Sequence, residues 1–177
     1  GTTTVGTATM DGLTVDGGAD ASTSYTRFTE HSSGYGFNGA YVSYKGSSNE
    51  LIFGRHNTFD SNTANDIPVI SFARSTGDIS FYNDSGSAKF FWDASAENLG
   101  VGTAPASTAK LHISSGVNDT PTTLRIENSD NTIETNQEVN AIEFYTKDAS
   151  ASGTGVSAKI VQYAVNPGNQ YGLTFST

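Results

Sequence analysis

Apolar and polar residues alternate strictly over runs of four to nine, and Gly, Asn, Asp and Ser break the runs before any helical period can develop. "GDISFYND" sets Ile79 and Phe81 on one side, "TTLRIEN" sets Leu124 and Ile126, and "NAIEFYTKD" sets Ile142 and Phe144. Side chains two apart share a face only in an extended chain, so these stretches are expected to be strands. No window of a dozen residues sustains apolar positions at i, i+3, i+4 and i+7; the one helical candidate, 94–98, is too short to stand alone. Three pairs of runs flank turn-forming residues and read as hairpins: 41–44 with 51–53 across Lys-Gly-Ser-Ser-Asn, "PVISFA" with "DISFYND", and "SAKIVQYAV" with "GLTFST" across Asn-Pro-Gly-Asn. In the last pair Lys159, Val161, Tyr163 and Val165 share a face, with Leu173 and Phe175 on the returning strand. The expectation is an all-β fold of short antiparallel strands and hairpins.

The core that such strands can build is thin. Val, Ile, Leu and Phe number 35 of 177 residues, while Ser, Thr, Asn and Gly number 78. One residue in five is near the level at which chains lack the apolar area to order themselves. With no cysteine in the sequence, neither a disulfide nor a Cys-ligated zinc offsets the deficit. Oligomerisation is the remaining support, and it would also cover strand edges otherwise open to aggregation. A formal net charge of −9 argues against nucleic acid and anionic membrane surfaces, whose phosphates call for clustered Lys and Arg. No apolar run approaches the ~20 residues that span a bilayer, so membrane insertion is not expected.

A repeat organises the chain. Val5-Gly6-Thr7-Ala8 leads to Leu13-Thr14-Val15, and Val101-Gly102-Thr103-Ala104 leads to Leu111-His112-Ile113. The repeat divides the chain into modules at 1–98 and 99–177, the second expected to be incomplete and the whole to be an excerpt of a longer protein. Gly6 and Gly102 are expected where backbones approach closely between modules, with Pro105 setting the exit direction and Trp92 packed beneath the link.

"ISFYNDSGSAKFFWDASAENLGVGTAPASTAKLHI" resembles the linker of bacteriophage tail fibres and side fibres, whose repeats carry an aromatic "FFWDAS" strand followed by a "LGIGT" and "KLHV" pattern. "ELIFGRHNTFDSNTANDIPVISFARSTGDISF" and "LRIENSDNTIETNQEVNAIEFYTKDASASGTGVSAKIVQYA" resemble modules that recur in such fibres, notably those of phages from aquatic bacteria. The resemblance implies a homotrimer whose strands intertwine about a three-fold axis. Its location would be the virion, or outside the cell after release, and its partners other tail fibre or baseplate proteins and a host cell-surface glycan. Fibres of this kind often end in an intramolecular chaperone domain that trimerises and cleaves itself off; none is present in this sequence.

Chemistry is sparse in the sequence. His31, His56 and His112 lie in separate segments, outside any nucleophile-elbow or His-Glu-x-x-His spacing. His112 reads as a plain strand residue, while His56, between Phe53 and Phe59, is the better ligand contact and otherwise a turn histidine. Asp60 with Asp66, and Asp78 with Asp84, are the carboxylate pairs that a polysaccharide depolymerase would require, although sequence neighbours in turns are usually turn formers. "DSNTAND" departs from a calcium loop at Ala64, and the Gly34, Gly36, Gly39 spacing lacks a strand-to-helix context. Neither a metal nor a cofactor is expected. Tyr35, Phe37, Tyr41 and Tyr44, interleaved with Gly and Ser, suit sugar stacking; the thin core favours packing as their role. The leading expectation is a non-enzymatic structural component of a phage tail fibre that takes part in host-surface attachment. The alternatives are a polysaccharide-degrading tailspike segment and a bacterial extracellular adhesin or filament.

Overall fold

The computed structural model describes residues 23–29, 36–115, 121–147, 155–166 and 170–176. Among them there is no α-helix. Eight strands form the first sheet: β1 (Thr23–Thr29), β2 (Gly39–Lys45), β3 (Glu50–His56), β4 (Asp66–Ala73), β5 (Ile79–Tyr82), β6 (Ala88–Asp93), β7 (Asn98–Val101) and β8 (Leu111–Ile113). They lie side by side in chain order, antiparallel except for the parallel last pair. A second sheet holds β9 (Glu138–Thr146), β10 (Gly155–Asn166) and β11 (Gln170–Ser176), with β10 in the middle. The three expected hairpins are present as β2–β3, β4–β5 and β10–β11.

Short polar side chains close the turns. Asn83 Oδ1 accepts from the backbone N–H groups of Ser85 and Ser87, and Asp93 Oδ1 accepts from those of Ser95 and Ala96. Each such side chain satisfies donors that the strand ladder has left behind. The 94–98 stretch weighed as a helix is therefore the β6–β7 turn, continuing into β7 at Asn98.

Two expectations change. The compact units divide at 122/123 rather than 98/99, because β7 and β8 complete the first sheet by pairing with β6 and with each other. Residues Leu124 and Ile126 alternate as a strand would, yet they belong to no sheet.

The Val-Gly-Thr-Ala junction is a parallel crossover. From β7 the chain folds back so that Pro105 crosses Gly100, where an added Cβ would meet the Thr103 carbonyl oxygen at 2.3 Å. Gly102 has φ +85° and lies against the Ser114 carbonyl; a Cβ there would come within 1.8 Å of that oxygen. The close approach expected at Gly102 is thus made within one chain. Asn98, 2 % exposed, donates from Nδ2 to the carbonyls of Ala106 (3.2 Å) and Ser107 (3.4 Å), and the Ala106 N–H donates to His112 Nδ1 at 3.2 Å. The first copy of the repeat, with Gly6, lies outside the described residues.

Candidate functional site

Direct cross-strand partners share a face of a sheet, so the register sorts the side chains of the first sheet into two sets. One unbroken row runs Val42, Phe53, Ile70, Phe81, Phe90, Val101, Ile113. Beside it runs Tyr44, Leu51, Phe72, Ile79, Trp92, Leu99, Leu111. Both rows are on the same face, since their members are two residues apart on every strand. Neither row holds a charged residue. Phe81 packs edge-on against Phe90 at 5.2 Å, and Phe53 against Phe72 at 6.0 Å, so the rings within the face hold one another.

This apolar face is the open one. Phe53 is 42 % exposed, Phe81 41 %, Phe90 37 % and Trp92 36 %. Every buried residue of the sheet, namely Tyr41, Ser43, Gly54, His56, Ser71, Asn98 and Gly100, lies on the other face. The arrangement is the reverse of a solvated antiparallel sheet, which turns its large apolar side chains inward. Trp92, expected beneath the link, stands instead in the open row between Ile79 and Leu99.

The opposite face is held by charge. Arg27 on β1 donates from both terminal nitrogens to the Asp66 carboxylate on β4, at 3.0 and 2.6 Å, across a separation of 39 residues. His56 Nδ1 lies 2.8 Å from the same Asp66 Oδ1, while Nε2 lies 3.0 Å from Thr58 Oγ1 and 3.2 Å from Asp60 Oδ1. The guanidinium stacks over the Phe37 ring at 3.9 Å and the Tyr25 ring at 4.5 Å. Tyr41 spreads across Gly54, where a Cβ would come within 2.2 Å of Tyr41 Cζ. The hydrogen bond from Arg27 to Asp66 raises the guanidinium pKa further, and burial, aided by the Asp66 charge, pushes the Tyr41 hydroxyl up to about 12. The Asn62 N–H holds the Asp60 carboxyl below its ordinary range.

Three of the residues singled out for sugar contact therefore meet in one cluster, with their rings engaged. Tyr41 is 4 % exposed and His56 1 %, and the guanidinium of Arg27 lies over Phe37. Tyr44 is on the apolar face, its hydroxyl 3.1 Å from Asn49 Oδ1; Tyr35 lies outside the described residues. Thr58, His56 and Asp66 stand in the order of a nucleophile, base and carboxylate. Yet Asp66 is neutralised by Arg27, and Asp60 competes for the Nε2 that a nucleophile would need. The other carboxylates weighed for catalysis are also occupied: Asp78 accepts the Ala94 N–H, and Asp84 pairs with Arg55. Among the described residues no group of three or more His, Asp and Glu side chains is placed to hold a metal ion.

Arg27 escaped the sequence reading, which weighed Asp66 only as a carboxylate paired with Asp60. The only signal was an arginine at an alternating position in "TSYTRFT", and nothing local names its partner. No known protein family, curated protein or solved structure matches the chain.

Proposed function

We propose that the chain is a structural module of a phage tail fibre, homotrimeric and non-enzymatic, which projects from the virion and positions host-surface attachment. The observation that carries the reading is the uncharged apolar face running across β2 to β8. Aromatic side chains present roughly 150–250 Å² each, so at the exposures of this face the rows leave on the order of 700 Å² uncovered per chain. The largest apolar patch of an ordinary monomer is about 300–600 Å², and a stable interface covers about 800 Å² per partner. An apolar area of that size calls for a cover, and other copies of the chain supply one of matching chemistry. Around an axis each phenylalanine meets its symmetry mates, and a core too thin in one chain becomes adequate in three.

The resemblance of residues 79–113 to fibre linkers points the same way, as does the use of His56 and its carboxylates in holding β1, β3 and β4 together. The test is the mass in solution of the native chain and of Phe81→Asp. A trimer of 18.6 kDa chains that survives unheated detergent is expected, with the variant dissociating while keeping its strand signal in circular dichroism. A folded native monomer at all concentrations would overturn the reading.

A further inference from the structure

We propose that the uncharged face of the second sheet is an interaction surface whose occupant is the same face of a second copy of the chain. The Asn140–Gln162 pair sets the register in which the copies meet. Cross-strand pairing sorts this sheet as it sorts the first. Phe144 and Ala158 share one face with the rows Ile142–Ile160–Phe175, Asn140–Gln162–Leu173 and Ala164–Tyr171. The charged side chains of the sheet, Glu138, Glu143 and Lys159, all belong to the other face, where Lys159 pairs with Glu138.

The uncharged face is open. Phe144 is 53 % exposed, Tyr171 54 %, Leu173 62 % and Phe175 75 %. At roughly 150–250 Å² per aromatic side chain, the three rings alone leave on the order of 350 Å² uncovered. The chain's own Leu124 and Ile126 border a groove there with Asn140, Ile142, Gln162 and Leu173. Both are exposed themselves, so they widen the apolar area without closing it. A contiguous apolar patch of several hundred Å² marks a contact surface.

Two observations select a second copy as the cover. Asn140 Nδ2 donates to Gln162 Oε1 at 2.8 Å, a bond that uses neither Asn140 Oδ1 nor Gln162 Nε2. A pair with an acceptor at one end and a donor at the other is its own complement: Gln162 of one copy can donate to Asn140 of the next, and the exchange repeats around a symmetry axis. In a slipped register the amides would be buried against Ile142, Ile160 or Phe175 without a partner, so one polar row in an apolar face fixes the alignment. The second observation is covalent, and here the inference rests on the self-association proposed above. Residues 114–122 alone connect β8 to the second compact unit, so copies gathered by the phenylalanine rows hold their second sheets at the high effective concentration of a short tether.

The sequence contains no cysteine, so single cysteines in the full chain report which faces meet. Leu173→Cys lies in the amide row, and the control, Thr174→Cys, belongs to the charged face of the same strand. A disulfide needs Cα atoms within about 7 Å, so under mild oxidation of the oligomer Leu173→Cys chains should cross-link about tenfold faster than Thr174→Cys chains, or more. When Leu173→Cys chains are mixed with Phe175→Cys chains, like links at 173 should predominate over mixed links. Replacing both amides, Asn140→Leu with Gln162→Leu, should erase that preference while the chain stays folded and associated. An intact oligomer in which the two faces cross-link at equal rates overturns this inference and leaves the fibre reading standing. A preference for like links that survives the double leucine change overturns the register role of the amides, and a chain that never associates overturns both proposals.

Discussion

At the scale of single residues, the Arg27–Asp66 pair matters more than its two hydrogen bonds suggest. Its side chains are 13 % and 6 % exposed, so removing one partner strands the other charge out of water. Asp66→Ala should cost about 3 kcal/mol in denaturant unfolding, because it also strips His56 of its Nδ1 partner. Gly54 makes a sharper case: Gly54→Ala drives a methyl into the Tyr41 ring and should cost about 2 kcal/mol, a penalty that vanishes in a Tyr41→Ala background. A cycle of the four proteins measures the coupling, and equal effects in both backgrounds would remove the ring from the explanation. The pH response follows from the same groups. Tyr25 and Tyr41 have raised pKa values, so the folded state keeps its phenolic protons where the unfolded chain releases them. Their contribution is intact below pH 10 and is lost as pH rises from there through about 12, the value reached by Tyr41. Asp60, Asp93 and Asp130 have lowered values through turn hydrogen bonds, so theirs is present above the ordinary carboxylate range and disappears as pH falls below it. Thermal melts should therefore soften at both extremes, with the acid loss centred on the turns.

At the scale of elements, the crossover from β7 to β8 depends on one amide. Asn98 is buried and ties down the carbonyls of Ala106 and Ser107, so Asn98→Ala should cost about 1–3 kcal/mol and raise hydrogen exchange across 103–110 before the hairpins are affected. Uniform loss of protection over the whole sheet would show that the crossover is not a separate latch. Its direction was not legible in the sequence. "LHI" alternates correctly for a strand, but alternation is the same for parallel and antiparallel neighbours, and the repeat with residues 5–15 suggested a module boundary where the sheet in fact continues. The hairpins were legible because turn chemistry and alternation sit within twenty residues of one another. β1 was not, since its face is set by Arg27, whose partner is 39 residues away. Leu124 and Ile126 show the converse: the residues signal a strand, and no strand among the described residues pairs with them.

For the whole molecule, the face proposed to drive association and the charge that would oppose it are on different atoms. The two apolar rows contain no Asp, Glu, Lys, Arg or His, while each chain carries a formal net charge of −9. Bringing copies together therefore gains apolar burial and works against like-charge repulsion. Salt screens the second without weakening the first, the Debye length falling from about 30 Å at 0.01 M to about 3 Å at 1 M. Sedimentation across that range should show association tightening steadily with sodium chloride, and tightening further in sulfate, which strengthens apolar burial by exclusion from the surface. An assembly held through ion pairs between copies would respond in the opposite sense and loosen as salt rises. The sign of the salt dependence thus separates an assembly built on the phenylalanine rows from one stitched together at charged turns, and Phe81→Asp should abolish the first kind of association.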